Sequence, residues 1–279
     1  MSSKKPFRLN TGSSIPEVGL GTWKSSPEDA YNSVRAALDT GYRHIDCAWI
    51  YRNEPEVGKA IKDSGIPRSE IFVTTKLWGT FHSRVEECLD SSLKRLGLEY
   101  VDLYLMHWPV ALNPNGNPPD FPLLSDGRRD LHDWHFTKTW EAMEKLPVLG
   151  KVKAIGAANF DIYNLEILKK SSRVVPAVNQ VEIHPYLQQR KLFAFCESEG
   201  IHVTAYSPLG STGSPVKTEK AVLEIASEIA THSIRPSHIR SDFEVISLSV
   251  DEMKQIDALE RNERYCNSAW IVTVFHDDE

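Results

Sequence analysis

The stretch Val101-Asp-Leu-Tyr-Leu-Met106 decides the fold class, because it is a β-strand pattern with almost no polar break. Strands of this kind are usually buried on both faces, as in parallel sheets that helices cover. An amphipathic helix pattern over Ser83–Leu96 precedes the strand, and Gly97 ends it. The order of helix and apolar strand predicts an α/β protein built around a parallel sheet.

The same strand-then-helix alternation repeats along the chain. Seven such units begin near residues 20, 44, 71, 101, 154, 177 and 202. A β-hairpin is predicted before them, over Phe7–Leu9 and Ile15–Val18. Such units give parallel strands with right-handed crossovers, and eight of them close into a barrel.

The eighth unit is predicted to be shortened or incomplete, because residues 231–234 are very short for a strand. A missing strand would leave unpaired backbone groups on both sides of the gap, at about 1–3 kcal/mol for each buried group. We therefore expect Ala230–Ile234 to enter the gap as a short strand, or else the barrel stays open.

A single domain over residues 1–279 is predicted, since no linker or composition shift divides the chain. The formal net charge of −6 argues against nucleic-acid binding. No apolar run reaches the roughly 20 residues of a membrane span, and the polar start predicts no secretory signal. Four scattered cysteines predict neither a disulfide framework nor a metal site, which favours a cytoplasmic protein.

Four ionisable residues lie at or just after the ends of three consecutive predicted strands. Asp46 and Tyr51 follow the second strand, Lys76 lies near the end of the third, and His107 follows the fourth. Taken singly, each residue type is more often structural. The active sites of parallel barrels lie at the carboxyl ends of the strands, so their joint placement predicts one shared pocket.

The chemistry of these four residues fits proton donation to a carbonyl oxygen during hydride attack. Tyrosine is a poor acid at neutral pH, and a neighbouring lysine ammonium is expected to lower its pKa. An aspartate keeps the lysine charged, and a neutral histidine orients the carbonyl. Another interpretation is a barrel lyase or isomerase in which Lys76 forms a Schiff base.

The chain resembles the aldo-keto reductase family from Gly19-Leu-Gly-Thr-Trp23 to about Ala258. The motifs that carry the resemblance are Gly41-Tyr-Arg-His-Ile-Asp-Cys-Ala-Trp-Ile-Tyr-Arg-Asn-Glu54, Thr74-Thr-Lys-Leu-Trp78 and Val101-Asp-Leu-Tyr-Leu-Met-His-Trp-Pro109. The resemblance implies a (β/α)8 TIM-type barrel, a monomer and NADP(H) as cofactor. It also implies Tyr51 as the general acid in a catalytic tetrad of Asp46, Tyr51, Lys76 and His107.

The resemblance further implies a set of cofactor-binding residues, although the chain has no GxGxxG motif. The set is Thr22, Asp46, Asn159, Gln180, Tyr206, Ser207, Leu209, Ser211 and Ser233. Tyr206 would stack on the nicotinamide.

The chain departs from the family pattern at several cofactor positions. Ala158 replaces the usual serine, and His232 and His238 replace the lysine and arginine that grip the 2′-phosphate. Arg235 and Arg240 are candidate substitutes. We therefore expect a weaker preference for NADPH over NADH than is usual in the family.

Aromatic residues near strand ends are predicted to line an apolar substrate pocket together with His107. They are Trp23, Trp49, Trp78, Trp108 and Phe121, and core packing is the alternative for each. Residues 108–138 are predicted as a long active-site loop, and residues 262–279 as a C-terminal tail that covers the pocket.

The sequence thus predicts an oxidoreductase that reduces aldehydes or ketones, or oxidises small polyols, by hydride transfer with NADP(H). Its expected partner is a small carbonyl or polyol substrate. Because of the short eighth unit and the replaced cations, a catalytically impaired or inactive barrel that binds ligands without turnover remains the alternative.

Overall fold

The computed structural model describes residues 6–211, 213–230, 239, 243, 247–266 and 273–276. Its centre is a seven-stranded sheet whose neighbouring strands are parallel and follow one another in chain order. The strands are β3 (Leu20–Gly21), β4 (His44–Asp46), β5 (Phe72–Leu77), β6 (Val101–Met106), β7 (Val152–Ala158), β8 (Val178–Glu182) and β9 (His202–Tyr206). The seven predicted strand-and-helix units are confirmed.

The predicted N-terminal hairpin is also present, as the antiparallel strands β1 (Phe7–Arg8) and β2 (Ser14–Ile15). Leu9 and Ile15 are buried in one cluster with Leu103, Leu105 and Phe72. The hairpin and the sheet strands therefore both contribute apolar side chains to this buried cluster.

Helices follow the strands and cover the sheet. They are α1 (Pro27–Thr40), α2 (Glu54–Asp63), α3 (Val85–Leu96), α4 (Phe136–Met143), α5 (Ile162–Ser171), α6 (Arg190–Ser198), α7 (Lys220–Ala230) and α8 (Val250–Asp257). In α1 the Ser26 side chain accepts a hydrogen bond from the Asp29 amide, with Pro27 at the first position. Gly41 ends α1 with a φ of 116°, a conformation that favours glycine.

The strand β6 is buried along its whole length, as its sequence predicted. Leu103 and Leu105 pack in the cluster that the hairpin joins. Tyr104 and Met106 point the other way and pack in the larger cluster that includes α2 and α3 residues. Alternate residues thus bury both faces of the strand, which fixes its register.

The prediction for Ala230–Ile234 is wrong at its first residue, because Ala230 is the last residue of α7. The rest of that stretch lies outside the described residues. Within the described part of the chain, β3 pairs with β4 alone and β9 with β8 alone. The described sheet therefore holds seven of the eight strands of a (β/α)8 barrel.

The predicted active-site loop is shorter than expected at its end. Helix α4 begins at Phe136, and the His135 side chain caps it by accepting a hydrogen bond from the Thr137 amide. Antiparallel bridges between Leu112 and Leu131, and between Leu123 and Arg129, fold the loop onto itself. No helix among the described residues is long and apolar enough to cross a membrane.

Candidate active site

The four tetrad residues lie at the carboxyl ends of three adjacent strands. Asp46 is the last residue of β4, and Tyr51 ends the short 3-10 turn that follows it. Lys76 is the last residue but one of β5, and His107 directly follows β6. Because these strands are neighbours in a parallel sheet, their carboxyl ends bring the four side chains to one edge.

Lys76 is a buried cation whose ammonium donates to two acceptors. Its side chain is 1% exposed, and its ammonium donates to Asp46 Oδ1 and, at 2.9 Å, to the Cys47 carbonyl. The other Asp46 oxygen accepts a hydrogen bond from Gln180 Nε2 at 2.7 Å. Burial lowers the pKa of Lys76, but the charges of Asp46 and Tyr51 outweigh it and raise the pKa above its usual value. The site therefore contains a permanent cation.

Tyr51 lies beside this cation. The Lys76 ammonium is 5.2 Å from the centroid of the Tyr51 ring, and the Trp23 ring is 4.8 Å from it. Burial raises the pKa of Tyr51 to about 12, and the charge of Lys76 only partly opposes this rise. The expected lowering of the pKa is therefore wrong in its net direction, because desolvation of the phenolate exceeds the attraction to Lys76. Tyr51 is a protonated donor at neutral pH.

His107 is the neutral partner of this donor. Burial and the charge of Lys76 hold the pKa of His107 well below its usual value. Its ring meets those of Tyr51 and Trp78 edge to face, at 5.9 and 5.4 Å between centroids. Its Nδ1 atom is buried without a hydrogen-bond partner among the described residues. A neutral imidazole beside a protonated phenol can orient a carbonyl oxygen.

Three of the five predicted aromatic residues contact this pair, and Phe121 contacts one of the three. Trp23 contacts Tyr51, Trp78 contacts both His107 and Phe121, and Trp108 stacks on His107 at 6.5 Å. Trp23 is 53% exposed, whereas Trp78 and Trp108 are buried. They form an apolar wall beside the acid.

The fifth aromatic residue, Trp49, packs on α3 instead. Its indole nitrogen donates to Ser91 Oγ at 3.3 Å, and the guanidinium groups of Arg52 and Arg95 lie 4.0 and 4.8 Å from its ring centroid. It also meets the Phe81 ring at 4.8 Å. The 3-10 turn directs Trp49 toward the helix layer and Tyr51 toward Lys76.

Three predicted cofactor residues lie on neighbouring strands, since Asn159 directly follows β7, Gln180 is the middle residue of β8 and Tyr206 ends β9. Asn159 has a left-handed φ of 62°. Its amide nitrogen donates to the His107 carbonyl at 2.8 Å, and its amide oxygen accepts from the Tyr206 hydroxyl at 2.6 Å. Gln180 bridges to Asp46. Two side-chain amides and a tyrosine ring beside the tetrad fit the carboxamide and ring of a nicotinamide.

The other predicted cofactor residues differ in their contacts and in their exposure to solvent. Thr22 is fully buried and donates to the Asp46 carbonyl at 3.2 Å, so its hydroxyl stabilises the tetrad loop. Ser207 has a φ of 50°, and its hydroxyl lies 3.7 Å from Cys266 Sγ. Leu209 is 48% exposed, and Ser211 is half-buried. Ser233, His232, His238, Arg235 and Arg240 lie outside the described residues, so their roles stay predictions.

The structure also reveals two buried carboxylates that the sequence reasoning missed. Glu182, at the end of β8, accepts hydrogen bonds from the Tyr265 and Cys266 amides. Asp161, after β7, accepts from the His276 amide and ring. The alternation of β8 places Glu182 on the same face as Gln180, which is a signal that the sequence contains. No group of three or more His, Cys, Asp or Glu side chains suited to a metal occurs in the described part of the chain.

The family model described as "Aldo/keto reductase family" matches residues 17–234. The chain belongs to the aldo/keto reductase family. It is 50% identical over 286 residues to a glycerol 2-dehydrogenase (NADP(+)) of Saccharomyces cerevisiae, covering 93% of this chain and 92% of the relative. A D-galacturonate reductase of Hypocrea jecorina is 43% identical, covering 90% and 89%.

A solved aldo/keto reductase structure has the same fold. The aldose reductase of Schistosoma japonicum is 38% identical, with a TM-score of 0.85 over 93% of each chain. The predicted (β/α)8 barrel, the enzyme class, carbonyl reduction and the NADP(H) cofactor are confirmed. Nothing in the described residues favours the inactive alternative.

Proposed function

We propose that this aldo/keto reductase interconverts small aldehydes or ketones and their alcohols, with Tyr51 as the general acid. The observation that carries the proposal is the contact of Tyr51 with a buried cation and a neutral histidine. The pKa of Tyr51, about 12, keeps the phenol protonated at neutral pH. A protonated phenol is the form that carbonyl reduction requires.

The residues divide the chemistry in a simple way. NADPH supplies a hydride to the carbonyl carbon when it is bound. Tyr51 donates its proton to the carbonyl oxygen, so the hydride added to carbon and the proton added to oxygen together give the alcohol. The phenolate that results lies beside the Lys76 ammonium, which stabilises the new negative charge. Asp46 forms an ion pair with that ammonium and holds it in place.

The cofactor-side residues support binding and orientation. Asn159, just after β7, and Gln180, within β8, present amide groups beside the tetrad, and Tyr206 lies beside Asn159. Our proposal assigns the nicotinamide to these three residues, and the phosphates to the segment from Ser207 to Ser211. His107 orients the substrate carbonyl toward Tyr51.

Small substrates fit the apolar wall of Trp23, Trp78, Trp108 and Phe121. The relatives named as a glycerol 2-dehydrogenase and a D-galacturonate reductase support small hydroxylated carbonyls and polyols as substrates. We propose a monomeric enzyme that acts in the cytoplasm.

The Schiff-base interpretation is disfavoured by the environment of Lys76. A nucleophilic amine must be neutral, but this ammonium is ion-paired with Asp46 and its pKa is raised. Borohydride treatment with an aldehyde is therefore expected to leave Lys76 unmodified.

The proposal is tested with NADPH deuterated at the nicotinamide C4 and a small aldehyde such as glyceraldehyde. We expect oxidation of the nucleotide and one deuterium on the carbinol carbon of the product, detected by mass spectrometry. Nucleotide without enzyme is the control. Binding of NADPH without any turnover across an aldehyde and ketone panel would instead support the inactive barrel.

A further inference from the structure

Glu182 is a fully buried carboxylate whose two oxygens both bind the C-terminal part of the chain. Its Oε1 accepts from the Tyr265 amide at 2.8 Å and its Oε2 from the Cys266 amide at 2.9 Å. His184 Nε2 lies 2.9 Å from Oε1 and adds a third contact. A buried carboxylate is costly unless donors surround it, and here the C-terminal backbone provides two of them.

The segment that Glu182 holds lies on the cofactor side of the site. Cys266 Sγ is 3.7 Å from Ser207 Oγ. Ser207 directly follows Tyr206, whose hydroxyl bonds to Asn159. Glu182 thus fixes residues 265–266 against the strand end that we assign to the nucleotide.

Asp161 is the second fully buried carboxylate with a C-terminal partner. Its Oδ1 caps α5 by accepting from the Asn164 amide at 2.8 Å. Its Oδ2 accepts from both the amide and the ring Nδ1 of His276, each at 2.6 Å. The Asn164 side chain donates to the Val274 carbonyl at 3.0 Å, so the start of α5 holds residues 274–276 by three contacts.

The segment that Asp161 holds lies on the substrate side. Phe275, between Val274 and His276, has its ring 6.1 Å from that of Trp108. The Arg264 guanidinium lies 3.6 Å from the Phe275 centroid, on the same ring. Trp108 in turn stacks on His107. Holding His276 therefore places an aromatic side chain beside the wall next to the tetrad.

We propose that Glu182 and Asp161 are positioning residues that fix the C-terminal segment on the two halves of the site. Glu182 serves the cofactor half through residues 265–266, and Asp161 serves the substrate half through Phe275. Neither carboxylate touches reacting atoms. The inference rests on the proposed function for its assignment of the two halves.

The test compares Glu182→Gln with Asp161→Asn. Each change keeps the size of the side chain but replaces one acceptor oxygen with a donor that faces N–H groups. Asparagine remains a good N-cap, so Asp161→Asn preserves the start of α5. NADPH is titrated without substrate by its fluorescence, aldehyde KM and kcat are measured, and hydrogen exchange is followed in peptides covering 262–266 and 273–276.

A split between the two variants is the expected result. Glu182→Gln weakens NADPH binding on the order of tenfold, because the segment beside the nucleotide loses one charged hydrogen bond. Asp161→Asn raises the aldehyde KM by a similar factor, with NADPH affinity within about twofold of the wild type. Exchange accelerates at 262–266 in the first variant and at 273–276 in the second.

Equal effects of both variants on NADPH binding and on aldehyde KM, or unchanged exchange in both peptides, would overturn the proposal. If Glu182→Gln does not fold, Glu182→Asp is used, because the shorter carboxylate withdraws from both amides. His276→Ala removes the ring contact without changing a buried carboxylate and should reproduce Asp161→Asn. A wild-type chain that turns over no carbonyl would refute the proposed function, whereas the exchange data would still test the positioning.

Discussion

Lys76→Met is the change whose effect on stability the structure specifies most fully. Methionine fills a similar volume but removes the ammonium that donates to Asp46 and to the Cys47 carbonyl. Asp46 then keeps only the Gln180 hydrogen bond, with its side chain 15% exposed. Removing one partner of a buried ion pair costs about 3–5 kcal/mol, because the remaining charge is left uncompensated.

That loss is large against a total stability of about 5–15 kcal/mol. At ~2–4 °C per kcal/mol, we expect the thermal midpoint of Lys76→Met to fall on the order of 10 °C. The double variant Asp46→Asn with Lys76→Met removes both charges and should recover about half or more of the loss. Calorimetry or circular dichroism melting at pH 7 measures all three proteins. An unchanged midpoint in Lys76→Met, or a double variant less stable than the single one, would show that Asp46 does not need the Lys76 charge in the folded protein.

Three further outcomes are expected. Because the pKa of Tyr51 is raised to about 12, the rate of carbonyl reduction at saturating NADPH should be constant from about pH 6 to 9, whereas the rate of alcohol oxidation, which needs the phenolate, should rise with pH. A midpoint near pH 7 in the reduction profile would indicate another acid. Burial lowers the pKa of His44 to about 4, so the contribution of its neutral form to stability is complete above pH ~6.5, the unfolded pKa. As the pH falls toward 4, the free energy of unfolding measured in urea should decrease by about 3 kcal/mol, and His44→Gln should remove this decrease. A Cβ on Gly58 would lie 1.9 Å from the Leu96 carbonyl oxygen, so Gly58→Ala should lower the free energy of unfolding in urea by about 1–3 kcal/mol. The control is Gly21→Ala, whose Cβ would have no such atom within 4 Å, and it should change that free energy by less than about 0.5 kcal/mol.

Local sequence patterns were sufficient to predict the elements whose ends are set by particular residue types. The apolar run Val101–Met106 matches β6 at both ends. The cap Ser26, the first-turn Pro27 and the stop Gly41 bound α1 at its two ends. The tetrad could be located because strand ends in a parallel sheet meet at one edge.

The sequence could not reveal quantities that depend on distant neighbours. The pKa of Tyr51 rises because burial outweighs Lys76, and burial depends on the packing of Trp23 and His107 around it. Trp49 turns toward α3 because its backbone forms a 3-10 turn. Asp161 meets His276 across 115 positions of the chain, a contact that no local pattern encodes.

The Tyr51→Phe variant tests whether Tyr51 supplies the proton in an otherwise intact site. The variant keeps the ring that packs against Trp23 and His107 and loses only the hydroxyl. Single-turnover reduction of an aldehyde by the preformed NADPH complex, with the NADPH dissociation constant measured in parallel, separates chemistry from binding. We expect the rate to fall about 10²–10⁴-fold and the dissociation constant to stay within about twofold. A Tyr51→Phe enzyme that reduces the aldehyde at the wild-type rate would show that Tyr51 is not the proton donor.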